Sequence, residues 1–243
     1  MRYVRLLLIA LALLACPCLE AQENAWSTNY NRLLQKYVTP AGVHYSQWKG
    51  NGADMQQLDQ VVNAIASELP GALDRNAQLA FYLNAYNAWI LHEALAKYPT
   101  ASVKDALFTF FTGQRIKVGG DAMSFNHLEK DVIRGKFGDA RIHFALNCAS
   151  RSCPPLQSEA FDGRRVTEQM EKLAKAFVNT PRGVAYDAAA KTARLSKIFD
   201  WYKEDFAKEG GALAFINKRR STPVPGDAKV TYQDYDWGLN EAK

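Results

Sequence analysis

The chain has 243 residues, of which 48% are hydrophobic, 12% aromatic and 23% charged. That supplies a packed core and excludes global disorder, and the length allows one ordinary domain or two small ones but no sizeable repeat array. A formal net charge of +5, reduced by one unit if Arg2, Arg5 and Glu20 leave with a leader, and the lack of a long basic block argue against nucleic acid as a partner.

At the amino terminus Arg2 and Arg5 precede an apolar run from Leu6 to Leu14, followed by Ala15-Cys16-Pro17-Cys18, the charge, length and exit pattern of a secretory signal. The run is shorter than the roughly 20 residues a membrane-spanning helix needs. No later segment reaches that length, so the mature chain is expected to be exported to the periplasm with no transmembrane segment. Two cuts are open. Cleavage after Ala21 leaves a signal at 1–21 and a single domain at 22–243. The lipoprotein box Leu13-Leu14-Ala15-Cys16 would instead end the signal at 15 and make Cys16 a lipid anchor. Either address permits disulfides, and Cys148 and Cys153 survive both cuts.

From Asn24 to Tyr37, Trp26, Tyr30, Leu33, Leu34 and Tyr37 recur at three-to-four spacing, which predicts an amphipathic helix stopped by Pro40. Gly42 to Tyr45 reads as a turn into a short extended piece, and a second helix is expected from Asp54 to Leu69. The longest helical pattern starts behind Asp74, a good N-cap, and runs until Pro99; it is apolar nearly all round and therefore central. Arg115 to Val118 and Gly119-Gly120 predict a strand and turn, then a helix over His127 to Arg134 with Asn126 and Glu129 at capping-box spacing. Ala140 to Asn147 alternates and predicts a strand that breaks at Cys148. Beyond it come a helix over Thr167 to Val178, strands near Val184 to Tyr186 and Ala193 to Leu195, helical pieces at Phe199 to Phe206 and Leu213 to Arg219, and an extended piece from Lys229. This order predicts an α+β fold: a single mixed domain, helix-rich with a small sheet, around a long buried central helix.

Phe81-Tyr82-Leu83-Asn84-Ala85-Tyr86-Asn87, Ile142-His143-Phe144-Ala145-Leu146-Asn147-Cys148, Ser152-Cys153-Pro154-Pro155, Phe199-Asp200-Trp201-Tyr202 and Tyr235-Asp236-Trp237 together resemble family 547 of the domains of unknown function, over roughly Gly42 to Asn240. The resemblance implies a domain that is commonly exported in bacterial members and follows a coiled coil in plant members, with no settled activity. Members often carry Glu followed by His where this chain has Glu129-Lys130, so a metal site through that position is not implied here. Plant members often carry Ser at the place of Cys153, so a disulfide there is no requirement of the family.

Cys148 lies in a small, polar, Pro-terminated loop, where a rigid scaffold can present a thiol to a cleft. A neighbouring imidazole, cation or helix N-terminus would make it a nucleophile; a disulfide to Cys153 is the structural alternative. His143 is the natural base, yet five extended residues would hold it about 16 Å from a thiol it must approach to about 3 Å. It can serve only if the chain reverses sharply after Asn147; otherwise His127 or His92 must serve, or His143 is a core residue. Asn84 and Asn87 share one face of the central helix and either assist an imidazole and an oxyanion or tie down loop backbone. Glu129 is an acid or base beside Cys148, or a cap. Arg134 and Arg151 suit a substrate carboxylate, and Asp200 suits a ligand contact, an ion pair or a cap. Tyr232, Tyr235 and Trp237 form a ligand-stacking edge or close the core.

Metal-ligand spacings, phosphate-binding glycine loops and the Gly-x-Ser-x-Gly elbow are all missing from the sequence, so neither metal nor cofactor is expected. The leading expectation is a cysteine-dependent amide or acyl hydrolase or transferase acting on a small peptide or cell-envelope fragment. Cys148, His143, Glu129 and Asn84 form its catalytic set, and Asn87, Arg134, Ser152 and Asp200 bind substrate. The alternatives are a noncatalytic envelope ligand-binding module stapled by Cys148 and Cys153, and a thiol redox sensor.

Overall fold

The computed structural model describes residues 25–104, 111–113 and 115–242; the expected signal at 1–21 and the lipidation position Cys16 lie outside the described residues. Helix α1 (Ala25–Tyr37) buries Tyr30, Leu33, Leu34 and Tyr37, the apolar stripe of its sequence. A minimal antiparallel hairpin, β1 (Val38–Thr39) and β2 (Gly42–Val43), leads into α2 (Tyr45–Lys49). The next helix, α3 (Gly52–Ser67), begins two residues before the expected start because the Asn51 side chain accepts a hydrogen bond from the Asp54 amide and caps it.

Helix α4 (Arg75–Lys97) is the centre of the molecule. The Asp74 carboxylate accepts from the amides of Asn76 and Ala77 to start it, and residues on all its sides are buried, from Leu79 to Leu95. The hairpin β3 (Ile116–Val118) and β4 (Asp121–Met123) precedes α5 (Phe125–His127), a π-helical segment Leu128–Arg134 and α6 (Gly135–Phe137). The expected capping box is not formed: Ser124, not Asn126, accepts from the His127 amide at the helix start. The π widening shows where the Gly135 amide donates to the Lys130 carbonyl five residues back.

The expected strand from Ala140 to Asn147 is replaced by the helical turn α7 (Ile142–Ala145). All four of its residues are buried, which a strand with one wet face would not allow. Ile142 and Ala145 join the core around α1, α3 and α4, whereas Phe144 joins a second core with Phe177, Phe199, Phe206 and Phe215. A helical turn fans successive side chains by roughly 100° and so reaches both cores, while a strand offers only two opposite faces.

After α8 (Val166–Val178) come β5 (Val184–Asp187), β6 (Thr192–Leu195), α9 (Ile198–Trp201), α10 (Lys203–Ala207), α11 (Ala212–Asn217) and β7 (Lys229–Tyr232). The three strands form one sheet, with β5 antiparallel and β7 parallel to the central β6. The fold is thus helix-rich α+β with small sheets around a buried central helix. The last described residues return to β2, to the segment after the central helix and to the Cys148 loop through bridges between Val43 and Glu241, Ser102 and Gly238, and Ser150 and Leu239.

Candidate functional site

Behind α7 the chain reverses at Asn147, a buried residue whose side chain shapes the whole loop. Its Oδ1 accepts from the Ala149 amide at 2.8 Å and its Nδ2 donates to the Pro154 carbonyl at 2.8 Å. Ala149 then takes φ 62°, a left-handed conformation that costs a residue with a Cβ and persists where surroundings over-determine it. Those surroundings include the C-terminal segment: Arg151 N–H donates to the Gly238 carbonyl at 2.8 Å and Asn240 N–H to the Ala149 carbonyl at 2.9 Å. Cys148 is held at this reversal.

Hydrogen-bonding groups surround its sulfur. Cys148 Sγ lies 3.1 Å from Ser150 Oγ and 3.4 Å from the Tyr235 hydroxyl. The Tyr235 hydroxyl accepts from Ser150 Oγ at 3.0 Å and directs its one hydrogen to Cys153 Sγ at 3.4 Å, and the Cys148 amide donates to Cys153 Sγ at 3.0 Å. The Cys153 thiol foremost, helped by the Ser150 and Tyr235 hydroxyls, pulls the Cys148 pKa below the ordinary thiol value despite burial. Cys153 behaves oppositely: burial, and then its hydrogen bond to Cys148, push its thiol well up. Both are free thiols in this structure.

The imidazole has its own anchorage. His143 Nε2 lies 2.8 Å from Asp205 Oδ2, and the Arg134 Nε lies 2.8 Å from the same oxygen. The hydrogen bond from His143, together with Arg134, holds the Asp205 carboxyl far below the usual range. A carboxylate only accepts, so Nε2 carries the hydrogen and Nδ1 is the nitrogen left for chemistry. The ring stacks on Tyr202 with centroids 3.8 Å apart. The Tyr202 hydroxyl donates to Glu129 Oε1 at 2.6 Å, and burial and that carboxylate raise its pKa. Glu129 therefore fixes the platform under His143 from the π-helical segment.

Thiol and imidazole open into one cavity of about 360 Å³, whose walls include Glu129, His143, Cys148, Cys153, Tyr202 and Tyr235. Among the described residues no hydrogen bond joins His143 to Cys148; each end keeps its own partners. His127, paired with Asp131, and His92, paired with Asp59, do not line this cavity, so neither supplies the imidazole.

The other expected site residues do structural work. Asn84 donates to the Phe161 carbonyl at 2.9 Å and accepts from its amide at 2.8 Å; Asn87 does the same between the Ala145 carbonyl and the Asn147 amide, both at 2.9 Å. Their amides are occupied by backbone, which removes Asn84 from the catalytic set and Asn87 from substrate contact. Arg134 is committed to Asp205 and to the Tyr202 ring, Ser152 Oγ accepts from the Asp236 amide at 2.8 Å, and Asp200 pairs with Lys197 at 2.8 Å. None of the three lines the cavity. Sequence reasoning missed Asp205, Tyr202, Ser150 and Asn147. Only Asn147, adjoining Cys148 in a turn-forming stretch, carried a local signal; Asp205 lies 62 residues from its imidazole. Among the described residues no cluster of His, Cys, Asp and Glu could hold a metal ion, and no helix is long and apolar enough to cross a membrane.

The family model described as "Protein of unknown function, DUF547" matches residues 70–178. The match is narrower than the sequence resemblance: it takes in Glu129, His143, Cys148 and Cys153 and ends before Tyr202, Asp205 and Tyr235. No curated protein and no solved structure matches the chain.

Proposed function

We propose that this chain, which matches the model of the family of unknown function DUF547 across residues 70–178, is a cysteine-dependent hydrolase or transferase of amide or acyl bonds. One observation carries the reading: a single cavity presents a donor-ringed thiol on one wall and a carboxylate-anchored imidazole on another. In this mechanism Cys148 loses its proton toward His143 Nδ1, and the sulfur attacks the substrate carbonyl carbon. The imidazolium, balanced by Asp205, returns the proton to the leaving amine or alcohol as that bond breaks. Water or an acceptor then displaces sulfur from the thioester with Nδ1 taking its proton. Glu129 acts through Tyr202 as a positioning group. A small peptide or cell-envelope fragment fits an exported protein, and the signal-like first 21 residues, with Cys16 as the alternative anchor, support that address.

The test is a screen of amide and ester substrates followed by titration with iodoacetamide. Turnover should fall in step with the Cys148 adduct seen by peptide mass mapping. Full turnover by protein completely alkylated at Cys148 would refute the nucleophile.

A second reading, a reversible dithiol, is favoured by the asymmetry of the pair: a part-exposed Cys148 of lowered pKa beside a buried Cys153 of raised pKa. Cys153→Ser separates the two, because it would abolish reversible loss of two hydrogens by the pair, while a hydrolase would keep turnover with the Ser hydroxyl in place as a donor to Cys148.

A further inference from the structure

The cavity has a third surface that neither the thiol nor the imidazole needs. Trp201, at the end of α9, is 45% exposed, a poor place for a large indole unless something covers it. Its ring lies 4.7 Å from Tyr235 and 5.9 Å from Trp237, the latter stacked at 28°, while Tyr235 and Trp237 are 4.5 Å apart. All three line the cavity. They form a continuous aromatic wall, and such rings accept another ring in offset or edge-on contact with centroids roughly 4.5 to 7 Å apart.

The position of this wall relative to the sulfur is fixed by Tyr235, which is both a wall ring and, through its hydroxyl 3.4 Å from Cys148 Sγ, a partner of the thiol. A ring lying on the wall is thus about one tyrosine length from the attacking atom. That is the reach of an aromatic side chain from its own carbonyl. Two of the ionisable groups of the cavity are held by other partners: Glu129 is engaged by Tyr202 and Tyr86, and His143 by Asp205.

We infer that the acyl group taken by Cys148 carries an aromatic ring, seated against the wall of Trp201, Tyr235 and Trp237, so that the substrate class is an aryl-bearing acyl or peptidyl amide or ester. This rests on Cys148 as the nucleophile. Trp201 is the specificity-determining residue, because it is the half-exposed member of the wall and its removal leaves Tyr235 with the thiol.

Two alkylating probes with one warhead test it: iodoacetamide and N-benzyl iodoacetamide. Rates of adduct formation at Cys148 are followed by peptide mass mapping over a range of probe concentrations, each divided by the probe's rate with glutathione. The benzyl probe should saturate and, at low concentration, exceed iodoacetamide by about tenfold, the size of a strong ring contact of about 1.4 kcal/mol. Trp201→Ala should bring the ratio close to one, and Trp201→Phe should retain most of it. Equal corrected rates in the unmodified protein would overturn the aromatic preference while leaving the nucleophile standing. A preference that survives Trp201→Ala unchanged would remove the wall as its source. Failure of both probes to modify Cys148 faster than glutathione would instead bring down the underlying nucleophile reading.

Discussion

Two stretches of the chain build the cavity, and they contribute different things. The stretch matched to the family, 70–178, contributes the groups that can exchange protons or electrons: Glu129, His143, Cys148 and Cys153. The stretch after it adds partners to those that Cys153, Ser150 and Arg134 already supply from within the matched stretch: Asp205 under the imidazole, Tyr202 against its ring, Tyr235 on the thiol and the part-exposed Trp201 on the cavity wall. A thiol or imidazole is only as reactive as its surroundings make it. The family-matched residues therefore do not specify the chemistry alone.

Replacing residues on each side of that division should separate these contributions. The largest effect is expected from Cys148→Ala, which removes the attacking atom and should lower turnover by about a thousandfold or more while the melting temperature stays close to the unmodified protein's. Turnover within tenfold of normal would place the reaction elsewhere.

Next in size is a change of stability within the family-matched stretch. Asn84→Leu strips partners from the buried amide and carbonyl of Phe161 and should cost about 2 to 4 kcal/mol, read as a lowered urea midpoint. Cys148 alkylation in the folded protein should change little, since Asn84 bonds Phe161 and is not among the sulfur's partners. An unchanged midpoint would contradict the backbone-clamp role.

Across the division, Asp205→Asn replaces the carboxylate that fixes the His143 tautomer and balances its charge, and should lower kcat/KM by about a hundredfold. The alkylation profile of Cys148 should move less than turnover, because the thiol keeps its own partners. A parallel loss of both would mean that the two ends act as one hydrogen-bonded unit.

The smallest effect is expected at the thiol. Alkylation of Cys148 should rise with pH as the thiolate forms, with its midpoint below the ordinary thiol value of about 8.5. Tyr235→Phe removes one donor to the thiolate, so its pKa rises and the midpoint moves up, by about 0.7 of a pH unit for one hydrogen bond of about 1 kcal/mol. A midpoint that stays put or moves down would deny the hydroxyl a part in stabilising the anion.

The helical patterns were legible because they are local. Asp74 capping the central helix, the buried stripe of α1 and the break at the Cys148 loop all follow from a few neighbouring residues. The misread strand at Ala140 to Asn147 shows where local pattern stops: apolar residues that alternate can also serve a helical turn wedged between two cores. The same limit explains Asn84 and Asn87. Two amides on an apolar helix must find partners, but whether those partners are backbone or substrate depends on which distant loop folds over them.

From its residues alone, this protein has a helix-rich α+β fold around one buried helix, and Cys148 stands in a turn after an apolar segment; both follow from spacing within a few turns of chain. Tertiary structure decided the rest. Cys148 becomes an acidic thiol because Cys153, Ser150 and Tyr235 converge on it, and His143 is oriented because Asp205 arrives from 62 residues away. Ionisation depends on the charges and donors within a few ångströms, and long-range folding alone determines which groups those are.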